Sequence, residues 1–328
     1  MAAIRRAAPA TVLACVLVAA SAACAGDRSS GGSADADKYP TKDLHLIVHA
    51  AAGGASDMTA RALATEMEKD LGRSIVVENR PGASGSTAMK YLASAKADGY
   101  TIGYLPVEVS MLGHRGYEVK PGSYTLLGQV VNVPAVVVVP GKSEHKTLDD
   151  LVKAAKAEPG EVSVANSGPG SIWEAATTLL GKQAGATFKP VPFDGGAPAV
   201  AAAGGGKVDA AVAGVSEVAP LLKDGRVRAL AVLDGERSKQ LPDVPTGKEQ
   251  GHDVTVGGWG GIGAPGGLPA PVAQKLREAV RKAAQSPGFT RTLTNAGAVP
   301  TYRSAEDFAT FAEQEYARFG GVLKSAGS

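Results

Sequence analysis

"DLHLIVHAAAGGASDMTARALATEMEKDLG" (residues 43–72) carries three kinds of sequence in succession. Residues 43–50 alternate and then run apolar, as a buried strand does. Residues 49–54 are then bare His, Ala and Gly. From Ser56 apolar residues recur at helical spacing; Ser56 or Asp57 can cap the start and Gly72 the end. Strand, small-residue loop and helix is the unit of a parallel α/β sheet. "SIVVENR" (74–80), "PGASGSTAMKYLASAKADG" (81–99) and "YTIGYL" (100–105) repeat that grammar.

A second αβ series follows with different words. "PAVVVVPG" (134–141) reads as a strand and "TLDDLVKAAKAEPG" (147–160) as a helix capped by Thr147. "EVSVANSG" (161–168) leads through "PGS" into a helix, and "TFKPVPFDGG" into "APAVAAAGGG". "VDAAVAG" (208–214) and "VRALAVLD" (227–234) are further strands, with the short helix "EVAPLLKDG" between them. "VGGWGGIGAPGGLP" (256–269) reads as a return crossing, and two amphipathic helices close the chain. The fold class is therefore α/β in two units.

The start of the chain has another purpose. Arg5 and Arg6 precede the short apolar run "TVLACVLVAASAAC", the pattern of a secretory signal peptide over 1–23. Ala22 and Ala23 before Cys24 suit cleavage that leaves a lipid-modified cysteine, although Ser21 stands where a lipobox usually has Leu; cleavage after Ala25 is the alternative. The polar, Gly/Ser-rich stretch up to Lys38 favours the lipoprotein reading, with 24–38 as a flexible tether. The expectation is an exported protein, lipid-anchored to the outer face of the cytoplasmic membrane.

Composition excludes several classes. Removing 1–23 takes two arginines and no acid, leaving 32 basic against 32 acidic residues and no basic field for nucleic acid. Cys15 and Cys24 both lie in the export segment, so the body has no disulfide, Cys nucleophile or Cys metal site. His45, His114, His145 and His252 lack metal-like spacing. No cofactor and no metal are expected.

The small loops carry the functional signal. "AAGGASD", "RPGASGST", "ANSGPGS" and "PFDGGAP" each follow a strand and open a helix. A helix N-terminus has N–H groups without intrahelical partners and a partial positive charge. Glycine lets such backbone approach a ligand, so a carboxylate can be held without arginine. One such loop is ordinary turn chemistry; four, split between two units, point to a shared cleft. None is followed by the Gly-Lys-Ser/Thr of a nucleotide loop, and none has the full dinucleotide spacing.

"YPTKDLHLIVHAAAGGASDMTARALA", "VVENRPGASGSTAMKYLASAKADGYTIG", "RVRALAVLDGERSKQLPDVPTGKEQG" and "WGGIGAPGGLPAPV" together resemble the extracytoplasmic solute-binding proteins of tripartite tricarboxylate transporters, the Bug-type family. The resemblance runs from about Tyr39 to near the C-terminus. It implies a two-lobe periplasmic-binding-protein-like (type II) fold. Lobe 1 would comprise 39–137 plus 262–328 and lobe 2 138–261, joined by hinge strands that close on a small carboxylate. It also implies no catalysis, a monomer, and delivery to the transporter's membrane subunits. Ala51, Ala52, Gly53 and Gly54 would supply main-chain amides from lobe 1. Ser167, Gly168, Gly170 and Ser171, with Phe193, Asp194 and Gly195, would face them from lobe 2.

This chain departs from that pattern. It has His49-Ala50 where the family usually has Pro-Phe, Trp173 where a His is usual, and Asp194 where a basic neighbour is common. Glu108 stands in a loop that is commonly small and polar. Added carboxylates repel a multiply charged anion. A monocarboxylate, a zwitterion or a larger, less charged ligand is expected, with Trp173 as a stacking wall. Trp259 is expected to pack rather than to line the cleft, and Asp57 to cap its helix rather than to contact the ligand. Two other functions stay open: an orphan sensor feeding a signalling protein, and a secreted hydrolase or transferase using Ser56, Ser84, Ser167 or Ser171. The second lacks a G-x-S-x-G elbow and an evident base.

Overall fold

The computed structural model describes residues 38–324. The expected signal peptide at 1–23, the expected lipidation site Cys24 and the expected tether up to residue 37 lie outside the described residues.

β1 (Leu44–Val48), with only His45 of its residues exposed, pairs in parallel with β2 (Ile75–Asn79) and β3 (Thr101–Pro106). α1 (Ala55–Leu71) connects β1 to β2. It stops at Gly72, which takes a left-handed φ of 64° and returns its N–H to the Glu68 carbonyl. α2 (Ser86–Ser94) connects β2 to β3.

β4 (Tyr124–Pro140) is the spine, 17 residues rich in Val. Its first part, to Pro134, pairs antiparallel with β9 (Gly257–Pro265), which also pairs antiparallel with β3. From Ala135 onward it pairs antiparallel with β7 (Ala210–Gly214) and β8 (Val227–Leu233). Pro134 sits where the neighbours change. Proline has no N–H for the ladder, so a strand tolerates it at such a break. β5 (Ser163–Asn166) lies next to β7 and β6 (Lys189–Pro192) next to β5, each pair parallel.

Helices cover the second series. α3 (Leu148–Ala157) starts on a capping box in which Thr147 and Asp150 bond each other's backbone. α4 (Ile172–Ala184) is capped by Ser171. α5 (Gly196–Gly204) and α6 (Val215–Lys223) follow β6 and β7.

The sheets are mixed, whereas the strand–helix grammar predicts a mostly parallel arrangement. The reason is that β4 and β9 run in opposite directions along each other and carry the chain between the two series. The end of the chain also differs from the expected two helices. α7 (Ala270–Ala284) and α9 (Ala305–Lys324) are separated by the short helix α8 (Pro287–Asn295) and the strand β10 (Val299–Arg303), which pairs with β4. "SPGFTRTLTNAGAVPTYR" spreads its apolar residues too thinly to signal either element.

One core packs α1 and α7 on the first sheet through Leu63, Met67, Leu276 and Val280. A second packs α5 and α6 through Val200, Val215 and Val218. Fully burying each such side chain contributes about 1.5–3 kcal/mol. A third cluster continues past Trp173 and Trp259 to α9.

Candidate functional site

The carboxyl ends of β1, β2, β3, β5, β6 and β7 converge on one cleft. The loops that follow them line two cavities, of about 820 and 360 Å3. They share His49, Ala51, Glu108, Ser167, Asp194 and Gly195 and are therefore continuous. The larger is the outer mouth; the smaller runs inward past Tyr104, Trp173, Glu217 and Trp259.

The sequence-derived positions distribute as follows. Ala51, Glu108, Ser167, Asp194 and Gly195 line both cavities. Gly168, Ser171 and Phe193 line the mouth, and Gly54 and Trp173 the inner cavity. Ala52 and Gly53 are exposed and outside the lining. Gly170 is also outside it, beside Ser84 and Arg115.

The glycine amides are not bare, as the sequence reading has them. Gly53 N–H donates to Asp57 Oδ2 at 2.8 Å, Gly168 N–H to Asn166 Oδ1 at 2.9 Å, and Gly170 N–H to Glu174 Oε2 at 2.8 Å. The chain supplies its own carboxylates and amide to these turns. Ala51, Ala52, Asp194 and Gly195 are left with amides that find no acceptor among the described residues.

Asp57 does not cap α1; the N-cap is Gly54, without a side-chain bond. Instead its buried carboxylate holds the loop, accepting from Gly53, Arg61 and Asn79. Burial works to raise its pKa, and those bonds outweigh burial and hold it below the usual carboxylate range.

Glu108 is placed by the short turn Val107–Ser110 after β3. Val107 and Val109 are buried, and Ser110 Oγ donates to the Ala312 carbonyl of α9 at 2.8 Å, so the turn is fixed from behind. Its Oε1 accepts from Ile172 N–H, at the start of α4, at 3.2 Å. Burial pushes this carboxyl up to about 7, helped by the charge of Glu217 and opposed by the backbone donors.

Glu217, on α6, is partly buried. Its carboxyl accepts from Gly214 N–H at 2.9 Å and from the Trp173 indole and the Gly196 amide. Burial nevertheless raises its pKa. His49 stacks on Tyr104, centroids 5.7 Å apart and planes 19° from parallel. Its shielded Nδ1 has no partner, and burial lowers its pKa to about 4, which keeps the ring neutral at physiological pH. No lysine or arginine lines either cavity among the described residues.

Three contacts tie the two sides of the cleft. Ser84 Oγ donates to the Pro169 carbonyl at 2.8 Å, Ile172 meets Glu108, and the Arg115 guanidinium lies 2.6 Å from Glu174 Oε2. Ser84 sits in the turn 81–85, where Ala83 and Ser84 hold left-handed φ of 46° and 51°. Non-glycine residues adopt that conformation at a cost and cluster at functional sites.

Comparison with known proteins now bears on this arrangement. The family described as "Tripartite tricarboxylate transporter family receptor" matches residues 59–328. The chain belongs to this family. Protein BugT of Bordetella pertussis is 32% identical over 300 residues, covering 89% of this chain and 92% of BugT. MatC from Rhodopseudomonas palustris, solved with bound malate, is 29% identical with a TM-score of 0.79, covering 87% of this chain and 100% of MatC. A second R. palustris protein, solved with adipate, is 30% identical with a TM-score of 0.81, covering 88% and 98%. The family fold is the two-lobe binding-protein fold, to which the two strand series joined by β4 and β9 correspond.

Sequence reasoning missed several cleft residues. Glu217 sits in "GVSEVAP", which reads only as a short helix; the signal was an acid in the first turn after a buried strand. The turn 81–85 was read as one of the cleft loops, with Ser84 as a candidate hydroxyl, but none of its residues was assigned to the solute site. Trp259 both packs and lines the cavity. It is buried against Phe308 and Phe311, with centroids at 5.4 and 5.5 Å.

Proposed function

We propose that this chain is an extracytoplasmic receptor that captures a small carboxylate-bearing solute and hands it to the membrane subunits of a tripartite tricarboxylate-type transporter. The observation that carries this is the cleft itself: loops from two sheet series face each other across a continuous cavity floored by backbone amides and aromatic rings. The malate and adipate held by the two R. palustris relatives support a carboxylate as the cargo. Here the carboxylate end meets the amides of Ala51, Asp194 and Gly195, with Ser167, Ser171 and Phe193 around it.

Capture proceeds by closure. The lobes are 39–137 with 262–328, and 138–261, and the change of partners at Pro134–Ala135 and the start of β9 at Gly257 favour a hinge close to those crossings. Water leaves as the lobes meet, which strengthens each remaining polar contact. The protein is exported, anchored through Cys24 and monomeric, with 24–38 as the tether.

Hydrolysis is disfavoured by the serines. Ser84 donates across the cleft to Pro169, and Ser171 Oγ donates to the Gly168 carbonyl while capping α4. No histidine bonds either hydroxyl among the described residues. The test is calorimetric titration with small carboxylates, followed by recovery of the compound. Saturable one-to-one binding with the compound unchanged is expected; consumption of the compound, or no binding across the panel, would overturn the reading.

A further inference from the structure

The inner cavity is built for the opposite charge from a tricarboxylate. Its lining brings together Glu108, Glu217 and the rings of Tyr104, Trp173 and Trp259, without a lysine or arginine among the described residues. The amides that would attract an anion there are already taken: Ile172 donates to Glu108, and Gly214 and Gly196 to Glu217. A second carboxylate entering this end would face two acids. The guanidinium of Arg115 is paired with Glu174 outside the lining. Two shielded polar atoms on the same wall, His49 Nδ1 and Ser216 Oγ, have no partner.

We propose that the solute is a small zwitterion, its ammonium seated in the inner cavity between Glu108 and Glu217 and against Trp173, and its carboxylate turned to the amides at the mouth. This rests on the solute-receptor reading and adds the charge of the buried end. An ammonium offers three donors and no acceptor, and the wall offers the carboxyl groups of Glu108 and Glu217 to receive them. Charge-assisted bonds and aromatic faces each favour a cation once water is excluded.

Protons give the proposal a sign. The groups facing the seat are Glu108 from the turn after β3, Glu217 from α6, His49 after β1, Tyr104 from β3 and Asp194 at the mouth. Burial holds Glu108 near 7, so it carries a proton part of the time at pH 6.5. An entering ammonium ionises it and releases a proton. A second carboxylate instead favours the neutral acid and takes one up. His49, held near 4, contributes little at that pH.

The experiment is calorimetric titration at pH 6.5, in two buffers of different ionisation enthalpy, with matched compounds of four, five and six carbons. At five carbons these are pentanoate, glutarate, 2-aminopentanoate and 5-aminopentanoate, with pentylamine beside them. At one or more lengths an amino acid is expected to bind about tenfold or more tighter than its matched mono- and dicarboxylate, with proton release. Glu108→Gln, alone and with Glu217→Gln, should reduce that preference to about twofold or less in protein that still melts cooperatively. Preference for glutarate or pentanoate, or binding of the amino acid without proton release, overturns the zwitterion while leaving a carboxylate receptor. Pentylamine binding as tightly as 5-aminopentanoate overturns the carboxylate end instead. No binding by any compound overturns both.

Discussion

Glu108 is the residue at which burial and charge meet most sharply. Its ordinary pKa is 4.5 and the folded value is about 7. Between those values the folded chain holds more protons than the unfolded one, so raising the pH through that window lowers stability. The total is roughly 3 kcal/mol. Glu108→Gln should remove this component, so urea midpoints should climb in the variant relative to the parent between pH 4.5 and 7. His49 acts oppositely and lower, its neutral folded form favouring stability as pH rises from about 4 to 6.5. The parent and variant must therefore be compared point by point. Asp57 makes a different prediction. Its carboxylate binds Gly53, Arg61 and Asn79 from a buried position, so Asp57→Ala should cost about 2–4 kcal/mol and loosen the loop at 49–54. Thermal melting and loop hydrogen exchange will read the two effects. At this scale the sequence was partly legible. Glu108 and Trp173 stood out because they are unusual in their loops. Glu217 and the internal acceptors of the glycine amides did not, because nothing local marks which distant carboxyl reaches which amide.

The elements were legible wherever local chemistry and pattern agree. α1 announces itself by its spacing and by Gly72, and α3 by Thr147 and its periodic leucines and alanines. Thr147→Ala removes the capping box and should cost about 1 kcal/mol in denaturant midpoint without changing solute affinity, since α3 lies away from the cleft. β10 and α8 were illegible because their stability comes from docking on β4 and α1 rather than from their own pattern. β4 was seen only in its second half. The first half, "YTLLGQVVN", mixes Gly and polar residues into a strand whose pairing with β9 is made elsewhere in the chain. That one strand turns two αβ series into a hinged pair, and its mixed sheet follows from it.

At the scale of the whole molecule, the two strand series with a cleft between them follow from repeated strand–loop–helix units, and this was visible before any coordinates. What the loops hold was not, because ligand charge depends on side chains brought in from three or four separate segments. The contacts of Ser84 with Pro169 and of Arg115 with Glu174 favour the closed arrangement. Ser84→Ala with Arg115→Ala should shift the population toward an open form. Small-angle scattering of the solute-free variant should then give a larger radius of gyration than the parent, and added solute should reverse it. The chain has two tryptophans, Trp173 and Trp259, and both line the inner cavity. The most direct measurement is therefore tryptophan emission during titration with a solute whose binding calorimetry has established. Capture in this cleft predicts a saturable emission change with the same midpoint as the heat. A solute that binds by calorimetry while the emission stays unchanged would place it elsewhere and contradict the account.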